Sequence, residues 1–346
     1  MARKPGVDWN GKKKIGLALQ GGGAHGAFTW GVLDHILEDG RLDVEAISGA
    51  SAGAMNAVVY AEGYLGGGRE GARKRLADFW KAVSDEGSLS GGHSTAFDNM
   101  FKPFGFDKSP ALWWMDTMTH YASPYELNPL NLNPLRDLLS KTIDFDKVRA
   151  CVDIQLFISA TNVHTGKIAV FERDKLTIDH VMASACLPMV FQAVEIDGVP
   201  HWDGGYMGNP ALWPLYYKSA CADTLIVQIN PIERDETPKT ASDIQNRLNE
   251  ITFNGALLGE LRAVAFVQKL IDQKKIGPPD YVRPLMHRVD GAAKMAQFSA
   301  ASKMDASWDT LIAMRDIGKS TAKAWLDAHY DDIGVRDTMD LRAAFE

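Results

Sequence analysis

Two glycine-rich turns, each set between a short apolar run and a helix signal, constrain this chain more than any other feature. Ile15 to Leu19 is apolar and runs into Gly21 to Gly26, after which Ala27 to Leu37 has helical periodicity and stops near Gly40. The pattern then repeats. Val44 to Ile47 reads as a second strand, Gly49 to Gly53 as a second turn, and Ala52 to Tyr64 as an alanine-rich helix. Strand, glycine turn and helix, twice in succession, is the grammar of a parallel sheet with crossover helices. With 346 residues, 46 % of them apolar, the chain has enough material for the core of such a domain.

Gly66 to Gly68 breaks the second helix, and Arg69 to Val83 continues with an amphipathic pattern. Further on, Pro134 to Leu139 suggests a short helix, Ile154 to Thr161 and Lys167 to Phe171 suggest strands, and Thr177 to Cys186 a helix ended by Pro188. Phe191 to Ile196 and Val199 to Trp202 predict a hairpin about Asp197-Gly198. Thr224 to Ile229 reads as a buried strand, residues 231–240 as a charged loop, Ala241 to Lys274 as helix, Tyr281 to Val289 as a late strand and Ser307 to His329 as helix. The stretch from Phe97 to Tyr121 is different: it is rich in Phe, Trp and Met and has little periodicity. On an irregular segment such side chains line an acyl groove, dip into a membrane surface, or form a satellite core under a loop.

A net charge of -7 argues against a nucleic-acid partner. Lys12, Lys13 and Lys14 form a basic cluster that reads as a solvated lead-in to the first strand. Cys151, Cys186 and Cys221 are odd in number and far apart, so they suggest neither a disulfide framework nor a zinc site. The first residues lack the apolar region of a signal peptide, and there is no apolar run of about 18 residues to span a bilayer. The expectation is a cytoplasmic protein that meets lipid, if at all, peripherally at a membrane surface.

Three segments carry chemistry. Gly49-Ala50-Ser51-Ala52-Gly53 matches G-x-S-x-G in a strand–turn–helix context, where small neighbours let the turn hold Ser51 out at the carboxyl edge of the sheet. Otherwise it is a glycine turn with an N-capping serine. Gly21-Gly22-Gly23-Ala24-His25-Gly26 leaves backbone N–H groups to face an anion. That anion is either a nucleotide phosphate, since the segment also fits G-x-G-x-x-G, or an oxyanion formed at Ser51. The strand after Asp43 and Glu45 runs straight into the Ser51 turn, which favours the oxyanion. Asp203-Gly204-Gly205 is the third: two glycines let the backbone deliver a carboxylate into a crowded site, or simply make a turn. Asp203 is thus a candidate base for Ser51, while a Ser–Asp–His order would call on His287 or His329.

In this order, GGGAHG, GASAG and DGG resemble the patatin-like phospholipase family over roughly residues 14–230, and the segment ASACLPMVFQAV, with Ser184 and Pro188, adds to the likeness. The resemblance implies a three-layer α/β/α sandwich with a mainly parallel central sheet. It also implies a Ser51–Asp203 dyad without histidine, an oxyanion hole drawn from Gly21, Gly22, Gly23 and Ala52, and no metal or organic cofactor. The implied reaction is hydrolysis of lipid carboxylic esters, of phospholipase A or lysophospholipase type, through an acyl-Ser51 intermediate. Residues 88–133 would form a lid or lipid-access insertion and residues 231–346 a mainly helical extension packed on the same domain. One position departs: the family loop usually carries Arg or Lys where this chain has His25, which exchanges a fixed charge for a titratable one. The alternatives are an esterase, thioesterase or transacylase on soluble acyl compounds, and a non-catalytic nucleotide-binding or interaction module.

Overall fold

A computed structural model describes residues 11–89, 122–278, 280–295, 298, 302–303 and 305–345. The two glycine turns do separate strands from helices. Strand β1 (Lys13–Leu19) leads to helix α1 (Gly26–Asp39), and β2 (Leu42–Gly49) leads to α2 (Ala52–Leu89). Gly40 closes α1 with φ 79°, its N–H donating to the Ile36 carbonyl at 3.2 Å. The expected break in α2 falls at Gly67 and Gly68, where the backbone leaves helical geometry.

Next come α3 (Pro134–Thr142), α4 (Phe145–Ala150), β3 (Gln155–Asn162), β4 (Ile168–Glu172) and α5 (Ile178–Ser184). The predicted hairpin is β5 (Val194–Ile196) with β6 (Val199–Asp203). Asp197 and Gly198 both have positive φ, 51° and 75°, as a tight two-residue turn between twisted strands requires. The chain ends with α6 (Trp213–Lys218), β7 (Asp223–Gln228), α7 (Ala241–Asp272), β8 (Leu285–Asp290) and α8 (Trp308–His329).

The strands form one sheet in the order β5-β6-β3-β2-β1-β7-β8, with β4 also paired to β3. Pairs β2–β1, β1–β7, β2–β3 and β7–β8 are parallel, while β4 and β6 run antiparallel to β3. Successive strand residues point to opposite faces, and the burial follows. Leu17, Leu19, Leu225 and Val227 join a core with α1, α2, α5 and α8, whereas Ala18, Ile226 and Met286 join a second core with α6 and α7. This is the three-layer α/β/α sandwich. The region after residue 231 supplies both an edge strand and helices on both faces.

Helices α1 and α8 touch backbone to backbone. A Cβ on Gly318 would lie 2.0 Å from the Phe28 carbonyl oxygen, and one on Gly31 would lie 1.9 Å from that of Arg315. Neither atom can retreat without moving a helix. Gly318→Ala is therefore expected to destabilise the protein by about 1–3 kcal/mol, the usual cost of overpacking. A urea unfolding midpoint unchanged from wild type would contradict this close crossing.

The first strand is tied down at its start. Lys13 Nζ donates to the carbonyls of Tyr330 at 2.7 Å and Ile333 at 2.8 Å, and Lys14 pairs with Glu45 at 3.0 Å. Lys13 and Lys14 thus hold the tail and β2, which corrects the expectation of a merely solvated lead-in. Cys151, Cys186 and Cys221 are free and buried. Among the described residues, no helix is long and apolar enough to cross a membrane. The stretch from Phe97 to Tyr121, and with it most of the expected insertion 88–133, lies outside the described residues.

Candidate active site

Ser51 lies between the end of β2 and the first turn of α2, with φ 51°. A β-carbon in the left-handed region crowds its own carbonyl and costs on the order of 1–3 kcal/mol. Tight packing holds the turn in this shape. A Cβ on Gly49 would meet the Gly53 carbonyl group at 2.7 Å, and one on Gly53 would meet the Leu19 carbonyl oxygen at 2.2 Å. The Ser51 N–H donates to Ser184 Oγ at 2.9 Å, so α5 braces the turn from the other side. Ala50 and Ala52 are buried, leaving Ser51 as the half-buried residue of the motif.

Asp203 ends β6. Its N–H donates to the Cys186 carbonyl at 2.8 Å, and its own carbonyl accepts from Thr161 Oγ1 at 2.7 Å. The backbone is fixed on both sides, so the carboxyl group has a set direction. Oδ1 accepts the Gly205 N–H at 2.6 Å, and the Ser51 hydroxyl lies close enough to the carboxyl group to favour its charged form. Gly204 is obligatory here: its Cβ would lie 2.2 Å from the Ser159 carbonyl oxygen. Asp203 is only 3 % exposed. Burial pushes its carboxyl up to about 7, against the opposing effects of the Gly205 N–H and the Ser51 hydroxyl. The fold thus brings together two residues that are 152 positions apart (203 − 51).

The loop from Gly21 to Gly26 lies against this pair. A Cβ on Gly21 would sit 2.9 Å from Ser51 Cβ, and one on Gly26 would sit 2.7 Å from Ala52 Cβ. Gly21, however, corrects the expected donor set, because its N–H is given to Asn209 Oδ1 at 2.7 Å. Gly21 is needed for close approach to Ser51, not as a donor. The N–H groups of Gly22, Gly23 and Ala52 have no hydrogen-bond partner among the described residues. Gly23 has φ 60°, a conformation in which a side chain is strained. Ala24 and His25 form the single helical turn that follows, and the His25 N–H donates to the Gly22 carbonyl at 3.2 Å.

His25 does not carry the titratable charge its sequence position suggests. Burial, reinforced by the nearby Lys303 ammonium, lowers it to about 3, so the ring is neutral across the physiological range. Its Nε2 lies 2.7 Å from Ser302 Oγ. The two histidines weighed as alternative bases are engaged elsewhere. His287 is fully buried with Nε2 2.9 Å from Asp223 Oδ1 and Nδ1 3.0 Å from Thr338 Oγ1, and His329 Nδ1 faces Asp332 at 3.1 Å. Among the described residues no histidine hydrogen-bonds Ser51 or Asp203, and no group of three His, Cys, Asp or Glu side chains is placed to hold a metal ion.

Several supporting residues escaped the sequence reading. Asn209 holds Gly21, while Gln20 Oε1 accepts the N–H groups of Ile229 and Asn230 at 2.8 and 2.9 Å. Asn209-Pro210, close behind the Asp203 motif, was a usable signal for a shaped turn; Gln20 and Asn230 gave none.

The family profile described as Patatin-like phospholipase matches residues 17–216. Among solved structures, the chain is similar to VipD from Legionella pneumophila, at 14 % identity over 95 % of this chain and 71 % of that one, with a TM-score of 0.43. It is also similar to the ExoU–SpcU complex of the Pseudomonas aeruginosa type III secretion system, at 19 % identity over 99 % and 75 %, with a TM-score of 0.33. No curated protein matches the sequence. The profile match runs from β1 through the Ser51 turn and the Asp203 motif into α6, over more than half of the chain, and the protein belongs to the patatin-like phospholipase family.

Proposed function

We propose that the protein is a lipid acyl hydrolase of phospholipase A or lysophospholipase type that works through a Ser51–Asp203 dyad. Membership in a family of lipid acyl hydrolases supports the reaction class. The observation that carries the dyad is the Ser51 hydroxyl set beside a buried Asp203 carboxyl, next to a loop whose Gly22 and Gly23 N–H groups have no partner among the described residues. In this reading Asp203 takes the Ser51 proton as Oγ attacks the ester carbonyl. The charge on the carbonyl oxygen is met by the N–H groups of Gly22, Gly23 and Ala52, the last also at the positive end of α2. As the tetrahedral species collapses, Asp203 returns the proton to the departing alcohol, leaving acyl-Ser51. A water deprotonated by Asp203 then releases the fatty acid and restores the serine.

Exposed apolar side chains on two linked segments support a lipid as the acyl donor. Leu127, Leu130, Leu132 and Met189 are 49, 79, 67 and 53 % exposed. The segment that carries the leucines is joined to the loop following Ser184 by Gln192 Nε2 to the Asn128 carbonyl at 2.8 Å and Ala193 N–H to Tyr125 Oη at 3.2 Å. Such a patch suits peripheral contact with aggregated lipid. Fatty-acid release from a lysophospholipid is expected to rise steeply once the substrate forms micelles. A rate that saturates on a soluble short-chain ester, with no release from micelles or vesicles, would instead favour an esterase or thioesterase on soluble acyl compounds.

A further inference from the structure

Lys303 lies far along the chain from the three motifs, yet it borders the same loop. Its main-chain carbonyl oxygen is 2.4 Å from where a Gly23 Cβ would be, so the Lys303 backbone packs directly on the glycine loop. The side chain is half-buried and, with His25, Arg234 and Glu250, lines a cleft of about 710 Å³ beside that loop. Its Nζ donates to Asn230 Oδ1 at 2.8 Å. The other end of the same amide, Asn230 Nδ2, donates to the Gly21 carbonyl at 2.8 Å. With a cation at one end and a carbonyl at the other, the amide has only one orientation that satisfies both. Asn230 is itself fully buried, and its N–H donates to Gln20 Oε1.

The consequence lies in the peptide unit at the end of this chain. The Gly21 carbonyl and the Gly22 N–H belong to one planar amide. Fixing the carbonyl through Asn230 fixes the direction of the N–H. The Gly21 N–H is fixed separately by Asn209, so the peptide units on both sides of the Gly21 Cα are held. Hydrogen bonds in series also polarise one another, and a charged donor at the head of the series strengthens the effect. The N–H at the far end becomes the better donor to a developing oxyanion.

We propose that Lys303 is a positioning residue for the reaction, acting through Asn230 to orient and polarise the Gly21–Gly22 peptide, whose N–H receives the oxyanion. The inference rests on the Ser51–Asp203 reading of the site. It gives the C-terminal region a part in the chemistry: the basic group tied to the glycine loop comes from residue 303, where burial lowers the ammonium's pKa and Glu250 opposes that shift, while the loop's own His25 stays neutral.

The test compares wild type, Ser51→Ala, Lys303→Met, Lys303→Gln, Lys303→Arg, Asn230→Ala and the Asn230→Ala/Lys303→Met double variant. The readouts are p-nitrophenyl butyrate hydrolysis, the rate of fluorophosphonate labelling, and the melting midpoint. Lys303→Met is expected to lower kcat by about tenfold, less than the loss of a whole oxyanion donor, with KM nearly unchanged. Lys303→Arg should recover most of this loss, and Lys303→Gln, which keeps a donor without the charge, should fall between. The double variant should be no slower than Asn230→Ala, because the two residues act in one series. If Lys303→Met fails to fold, Lys303→Gln and Lys303→Arg carry the comparison. A wild-type kcat in the folded Lys303 variants, with Ser51→Ala inactive, would overturn the inference and leave the dyad standing. Independent, multiplying effects of Asn230 and Lys303 would also overturn it. Activity that survives in Ser51→Ala, or a wild type that neither hydrolyses nor labels, would overturn the reading of the site and the inference with it.

Discussion

Ser51→Ala is expected to lower ester hydrolysis by about ten-thousandfold or more, the scale seen when an activated nucleophile is removed. The loss should appear in kcat, because the exposed apolar side chains and the loop N–H groups are left in place. The fold should survive, since Ser51 contributes to packing chiefly through its backbone: its N–H to Ser184 and its carbonyl to Met55 N–H at 3.1 Å. Ser51→Gly is a useful companion. Glycine reaches φ 51° without the crowding that serine suffers, so this variant should be equally inactive but more stable than Ser51→Ala by about 1 kcal/mol. Such a pair would show strain held at the reactive residue by the packing of Gly49 and Gly53. If Ser51→Gly unfolds earlier than Ser51→Ala, that account of the turn is wrong.

Asp203→Asn is the second large effect. An amide in the same space still accepts the Gly205 N–H but cannot take a proton from Ser51, so activity should fall by about a thousandfold or more. The wild-type pH profile follows from burial. The carboxyl titrates at about 7, and only its ionised form is a base. Activity should therefore be low at pH 5, rise through neutrality and level off above about pH 8, one unit beyond that midpoint. The stability profile has the opposite sense. A folded-state value raised from 3.8 to about 7 means the native protein holds a proton that the unfolded chain has already lost. Stability is then full below about pH 4 and is lost as pH rises through 7. Asp203→Asn removes this liability, and at pH 8 it should be the more stable protein by roughly 4 kcal/mol at most, with the gap closing towards pH 4. An active Asp203→Asn, or a wild type equally active at pH 5 and pH 8, would remove Asp203 as the base.

The sequence made the local parts of the fold legible. Gly40, Gly68, Asp197 and Gly198 each take the positive-φ backbone that a helix end, a break or a hairpin uses, and each stands where the pattern changes. The Ser51 turn was readable for the same reason, since G-x-S-x-G between a strand and a helix is a local constraint. What is long-range was not. Gly21 looked like its neighbours as a donor, and only the approach of Asn209 shows its N–H to be taken. The choice between Asp203 and His287 depended on burial and partners: His287 is held by Asp223 and Thr338 on another part of the sheet. His25 looked titratable until its burial beside Lys303 was visible. Lys303 carries no motif, and its role depends on a chain of contacts from residue 303 through 230 to 21.

The most direct measurement of the central claim is peptide mapping by mass spectrometry after reaction with a fluorophosphonate probe, on wild type and on Asp203→Asn. The account predicts a single adduct on Ser51 in the wild type, forming faster as pH rises through about 7, and its near absence in a folded Asp203→Asn. An adduct on a different serine, or one on Ser51 that forms equally fast without the Asp203 carboxylate, would contradict it.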